Sequence, residues 1–317
     1  MAYSFKVYIS GEKEYFEYGN GQKTIKKSFA FSQSLMDLLY LDITSYGNVF
    51  EKMGADLRQL YSEKDMRLAD EVRKGLDTIT KKHIYFELVR LDWLDRLEQA
   101  EEKKFENVID LLPYKKLTHI PSEIVTIQDQ VKHLWGNTLD VLTPKEPVQK
   151  KMAEYYEEKE NKNDLDFFPF QPLALRFEWI DRKTFTEVLY PKDIYEIIDY
   201  FTRECIMREL PFRVCKNCGK YFPLTGHINT EYCDRPFDSA GRTCKEIGAL
   251  RVWEKKKKEN PAFKAYSKAY KKRFAWIKYG KITQEAFYEW SEQARTMREQ
   301  CANGKISLDE FKEWLGD

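Results

Sequence analysis

No stretch of this sequence reaches the roughly 18 uncharged apolar residues that a membrane-crossing helix requires, the best candidates being short pieces such as Leu38 to Leu41. Met1 to Phe16 carry Lys6, Glu12, Lys13 and Glu14, so the apolar core of an export signal is missing. These two absences lead to the expectation of a soluble, cytoplasmic protein with no membrane partner. Histidine is scarce: His83, His119, His133 and His227 stand without metal-ligand spacing and read as surface or satisfied core residues. There is no glycine-rich phosphate loop and no nucleophile elbow, so no motif marks an enzyme and no catalytic residue is singled out. Six cysteines in 317 residues are too few for a disulfide scaffold. A surplus of charge is missing too, with 53 basic against 52 acidic side chains, so partners must be sought in how charge is distributed.

What is present suffices for two domains, since 42% hydrophobic residues can fill a core. Tyr3, Phe5, Val7 and Ile9 alternate as in a strand, Glu14 to Tyr18 extends again, and Gly19-Asn20-Gly21 turns before Thr24 to Phe31. From Ser32 to about Asp140 the period becomes helical, with Leu35, Leu38 and Leu39 and then Ile84, Leu88, Leu91, Leu94 and Leu97. The expected class is α+β, mainly α, with an N-terminal domain over 1–145. Pro144, Pro147 and a charge-dense stretch predict a linker at 146–165, partly helical through Met152, Tyr155 and Tyr156. Residues 166–212 then read as a hairpin, Leu173 to Ile180 and Phe185 to Tyr190. A helix capped by Asp193 with Glu196 follows and mounts the next module.

That next module, at 213–259, carries four of the six cysteines. Cys215-x2-Cys218 is followed after fourteen residues by Cys233 and after ten more by Cys244. A tight Cys-x2-Cys loop points two sulfurs inward, and Gly219 can supply the positive φ that closes it. Lys220 to Phe222 should continue as a strand, Tyr232-Cys233 should close a hairpin with it, and Cys244 should open a helix through Ile247, Leu250 and Trp253. The expected cofactor is one structural Zn2+ held by Cys215, Cys218, Cys233 and Cys244, with His227 as a substitute ligand that four thiolates make unnecessary. Arg213, Lys216, Arg242 and Lys245 could balance the thiolate charge. Cys205 and Cys301 lie in helical patterns and read as ordinary packed side chains.

Between Gly241 and Lys281 fourteen basic side chains face three acidic ones, a surplus of eleven in a chain of net charge +1. Such asymmetry points to an anionic partner. Candidate contacts to DNA or RNA are Arg242, Lys245, Arg251, Lys255, Lys264, Lys268, Lys271 and Lys272, the lysines spreading over the faces left free by the stripe Phe263, Tyr266, Tyr270, Phe274 and Ile277. That stripe reads as core packing before base stacking, and solvated lysines are the plain alternative to phosphate contacts. In the C-terminal helices, 260–317, Gly280-Lys281-Ile282-Thr283 with Phe287 and Trp290 is echoed 24 residues later. Its counterpart is Gly304-Lys305-Ile306-Ser307 with Phe311 and Trp314. Each copy should stop one helix, cap the next and anchor it, giving a helical hairpin with a short docking helix whose anchors could also bind a protein.

With Cys215-x2-Cys218-Gly219, Phe222, Tyr232-Cys233 and Cys244 in place, residues 212 to about 255 resemble the CGNR-type zinc finger of bacterial proteins. The resemblance implies a mainly helical N-terminal domain before the finger and a DNA-binding regulatory role. The sequence departs from that pattern at Cys244, which lies further from Cys233, is followed by Lys245-Glu246 in place of Gly-Asn-Arg, and precedes some sixty further residues. The whole chain also resembles an uncharacterised bacterial family that carries such a finger and the Gly-Lys-Ile tail, often associated with mobile elements. Nucleic-acid binding is therefore the leading expectation, and a zinc-folded scaffold for protein partners is the second.

Overall fold

The alternating apolar residues at the start build a sheet because one face of its first two strands is buried in the core. The computed structural model describes residues 3–20, 23–103 and 114–316, without the side chains at 114, 115 and 256–258. Three strands, β1 (Ser4–Ser10), β2 (Lys13–Gly19) and β3 (Thr24–Ala30), pair antiparallel, with Val7 opposite Phe16. The turn after β2 reaches Gly21, which lies outside the described residues. Gly19 itself has φ +154°, and a Cβ there would lie 1.9 Å from the Lys23 carbonyl oxygen, so only glycine fits.

The helical period of the next segment gives α1 (Gln33–Leu39), a 3-10 turn at Thr44–Tyr46, α2 (Gly47–Glu63), α3 (Arg67–Thr80), α4 (Phe86–Glu102) and α5 (Tyr114–Thr138). Leu35, Leu38, Leu39, Leu88 and Leu91 are buried as their spacing predicts, with Leu94 and Leu97 at the margin of the core. Residues 104–113 of that segment lie outside the description.

The charge-dense stretch expected to be a linker is α6 (Val148–Asn161), which packs on α5 and buries Val148 and Tyr155. Its charges occupy the solvent face, and two buried side chains on the other face are enough to dock it. The hairpin is β4 (Leu175–Asp181) and β5 (Thr184–Leu189), as the sequence predicts. It is no separate mount, however: β5 pairs with β1, Val7 opposite Leu189, giving one antiparallel sheet of order β3-β2-β1-β5-β4. The alternation of Val188 and Leu189 looks local in sequence, and its partner lies some 180 positions earlier.

Next comes α7 (Ile194–Met207), where Asp193 accepts from the Glu196 N–H at 3.0 Å. Glu196 reaches back to the Lys192 N–H at 2.9 Å, one residue earlier than a reciprocal capping box would have it. Ile197, Ile198 and Phe201 of α7 enter the core, where Phe201 meets Phe16 and Tyr85. A two-stranded ribbon, β6 (Phe212–Val214) with β7 (Tyr221–Pro223), completes this part, and Phe212 stacks on Trp135 with centroids 4.1 Å apart.

By its contacts the chain divides into a first unit, residues 1–214 and 220–228, and a second, residues 215–219 and 229–317. The chain therefore passes from one to the other three times. In the second unit α8 (Cys244–Glu259) precedes α9 (Pro261–Lys278), α10 (Gln284–Ala302) and α11 (Leu308–Leu315), the last three packed on one another. Asn260 caps α9 with Pro261 behind it, Thr283 caps α10, and Ser307 with Glu310 forms a full capping box on α11, as the 24-residue echo predicts. Phe287 and Phe311 are buried, and Trp290 and Trp314 stack at 6.5 Å. On α9 the buried face holds Ala262, Ala265, Tyr266 and Ala269; Tyr270 is half-buried and Phe274 largely exposed, so the predicted aromatic stripe is only partly core. The fold is α+β and mainly α.

Candidate metal centre

Four thiols come together in the second unit. The Sγ atoms of Cys215, Cys218, Cys233 and Cys244 all lie within 4.8 Å of one another, close enough to hold a metal ion, and all but the half-buried Cys218 are buried. Cys218 and Cys233 stand 3.7 Å apart, far beyond the roughly 2.05 Å of a disulfide. That distance is close to the edge, about 3.8 Å, of a tetrahedron of sulfurs bonded at about 2.3 Å to a central cation.

Each cysteine is placed by its own local device. The Gly219 N–H donates to the Cys215 carbonyl at 2.9 Å, and Gly219 takes φ +70°, so the Cys-x2-Cys loop closes as its spacing predicts. The Cys233 N–H points at Cys215 Sγ, 3.4 Å away. Cys244 opens α8, and its own N–H donates to the Arg235 carbonyl at 3.0 Å. Thr243 caps that helix. Its hydroxyl accepts from the Glu246 N–H at 3.3 Å while Glu246 accepts from the Thr243 N–H at 2.6 Å. The Thr-x-x-Glu signature was readable and marks the start of α8 directly. The Asn217 side-chain amide donates to Cys244 Sγ at 3.2 Å, a contact that no spacing rule announces.

The hairpin expected within this module is absent. Tyr221 to Pro223 pairs with Phe212 to Val214 in the first unit, and Tyr232 instead lies against α8, where a Cβ on Gly248 would fall 2.3 Å from its ring. Phe222 and Leu224 are buried, which draws that strand into the first unit's ribbon.

The electrostatics of the four sulfurs favour a cation. Burial works to raise the Cys215 thiol, yet backbone N–H groups of Cys218, Cys233 and Asn217 outweigh it and bring it to about 7. Burial, together with the charges of Cys215 and Cys218, pushes Cys233 up to about 12, and burial also raises Cys244. Thiolates this close repel one another, and a divalent ion at their centre reverses the sign of that interaction. His227 is exposed and is no member of the group.

Of the four basic side chains expected to balance the thiolates, Lys216, Arg242 and Lys245 pair with carboxylates. Lys216 contacts Glu231 at 2.5 Å, Arg242 contacts Asp238 at 2.7 Å and Lys245 contacts Asp234 at 3.4 Å. Asp238 also accepts from the Ala240 and Arg242 N–H groups, which folds the 234–242 loop. Arg251 stacks on Phe237 at 4.4 Å, and Lys255 lies 3.8 Å from Glu259. Of the eight candidate nucleic-acid contacts, these four, Arg242, Lys245, Arg251 and Lys255, therefore have local partners. The remaining four lie on α9 and are exposed, although Lys268 and Lys272 also have partners, Lys272 lying over the Trp276 ring at 6.0 Å. At 3.6 residues per turn, Lys264, Lys268, Lys271 and Lys272 fall within an arc of about 100°, one stripe where the sequence reading had them dispersed.

A closed group of four cysteines at the head of a helical unit is the class of site this defines. Residues 185–315 match a family of unknown function (DUF6076), a stretch that takes in most of β5, α7, all four cysteines and the helices to α11. No curated protein and no solved structure matches the chain. Among the described residues no helix is long and apolar enough to cross a membrane.

Proposed function

We propose that the four cysteines hold one structural zinc ion and that the second unit binds nucleic acid, DNA foremost, through the lysine stripe of α9. For zinc the support is the donor set: four sulfurs within 4.8 Å of one another suit Zn2+, and four such ligands fill its coordination sphere, leaving no position for a substrate. The finger then spans 213–259, and the helices of 260–317 carry the contact surface. For nucleic acid the single supporting observation is the α9 face, with Lys264, Lys268, Lys271 and Lys272 exposed on one side of a helix whose opposite side is buried. A row of ammonium groups about one turn apart suits a phosphate backbone, the CGNR-type resemblance favours a DNA-binding regulator, and the resemblance of the whole chain to an uncharacterised bacterial family favours a mobile-element role.

The test is a salt titration of binding to duplex DNA and to single-stranded RNA. Reversing Lys264, Lys268, Lys271 and Lys272 to Glu should abolish binding and the salt dependence while zinc content stays at one ion per chain. Undiminished binding removes the stripe from the reading. A protein-binding scaffold is the second reading, favoured by the exposed Phe274, Tyr279 and Tyr288 of the same unit. Absence of any DNA or RNA binding at low salt would decide for it.

A further inference from the structure

The two edges of the five-stranded sheet are built differently. Strand β3, at one edge, carries Lys26 and Lys27 in its centre, a usual guard against pairing with another chain. Strand β4, at the other, reads Leu-Arg-Phe-Glu-Trp from Leu175 to Trp179, with no proline or glycine and no net charge. Its alternate residues Leu175, Phe177 and Trp179 share the face on which Val7, Phe16 and Leu189 are buried. There the sheet outruns its cover: Phe177 is 66% exposed, Trp179 73% and, on β5 opposite Trp179, Phe185 69%. Phe177 and Phe185 stack at 5.7 Å, a preassembled aromatic surface without an intramolecular cover. Such a patch beside an unguarded edge is the usual mark of an interface.

We infer that β4 pairs antiparallel with β4 of a second copy of this chain, about a two-fold axis at Phe177. The strand is its own complement in that register. Phe177 meets Phe177, Leu175 meets Trp179 on the aromatic face, and on the other face Arg176 meets Glu178 twice, opposite charges directly across the ladder. A register centred one residue away would set Glu178 against Glu178 or Arg176 against Arg176. Within the chain Glu178 accepts from the Tyr190 hydroxyl at 2.6 Å and lies 3.7 Å from Lys6, while the Arg176 guanidinium sits over the Tyr190 ring at 5.6 Å. Among the described residues Arg176 makes no ion pair, so its charge is left for the second copy. The shift of register between Trp179 and Asp181 bends the strand just beyond this stretch and bounds the contact to its five residues.

Light scattering and sedimentation over a micromolar range of the full chain test this. The wild type should reach twice its 37.9 kDa mass. Arg176→Glu and Glu178→Arg should each weaken association by about tenfold or more, because two-fold symmetry creates two like-charge pairs at once. The double reversal should restore it, and unchanged circular dichroism and zinc content should show that each exposed-site variant is folded. A wild-type chain that stays at single mass leaves the face to a foreign strand and overturns the proposal. So does association that the single reversals leave untouched, or a double reversal that stays apart.

Discussion

The two units are stabilised by different means. The first buries an aromatic and aliphatic core in which Phe16, Trp93, Trp135, Phe201 and Phe212 are fully enclosed. The second buries a smaller set, four alanines with Ile247, Tyr266, Phe287, Phe311 and Leu315, and its first segments, at 215–219 and around 229–243, have hardly any regular structure. A segment with so little apolar surface to bury holds its shape only if something else contributes folding free energy, and the sulfurs are placed for a metal to do so.

Metal removal should therefore separate the two most sharply. Chelation, or Cys215→Ser with Cys233→Ser, should abolish protection from proteolysis over 229–259 while the near-ultraviolet signal of the first unit's aromatics persists. Equal loss in both would break the comparison. Next in size is Trp135→Ala, which removes the ring stacked on Phe212 and should cost the first unit about 3–5 kcal/mol by denaturant unfolding, with metal content the same as the wild type's.

Smaller, and dependent on pH, is the effect of Glu14. Burial holds its carboxyl up at about 8, only partly offset by the Ser34 N–H that donates to it at 2.6 Å; among the described residues its other oxygen has no partner. A carboxyl raised on folding keeps its proton while the unfolded chain loses it. Stability thus falls as pH rises from about 4.5 towards 8. Burial also depresses His83 to about 4, which removes stability as pH falls from about 6.5 towards 4. Glu14→Gln should flatten the alkaline limb and stabilise the first unit at pH 8 by a few kcal/mol, on the order set by that shift. A melting temperature with unchanged pH dependence would remove Glu14 from this account. Smallest is Thr243→Ala, which removes the cap of α8 and should destabilise the second unit by about 1 kcal/mol, with a matching fall in affinity for the proposed metal ion.

Where information is local, the sequence carried it. Strand alternation placed β1 and β2, the Asp193, Asn260, Thr283 and Ser307 caps placed four helix starts, and the Cys-x2-Cys loop with Gly219 placed its own turn. Pairing was not local. Nothing in Thr184–Leu189 names Val7 as its neighbour, and nothing in Tyr221–Pro223 chooses Phe212 over Tyr232. At 146–165 the apolar Met152, Tyr155 and Tyr156 announced a helix, but not that it would bury Val148 and Tyr155. At the candidate metal centre the four cysteines were legible by residue type and spacing, whereas Asn217 and Asp238 act through geometry that exists only once the loop is folded.

The three passages of the chain between the units have a bearing on how this protein can be cut. Strand β7, which pairs with β6 and contributes the buried Phe222, returns to the first unit only after Cys215 and Cys218 have been left behind. A truncation before Cys215 would strip β6 of its partner, and one after Ile228 would carry away half of the sulfurs. The cysteine module is thus woven in rather than appended: it is no cassette that recombination could trim or graft at a single joint.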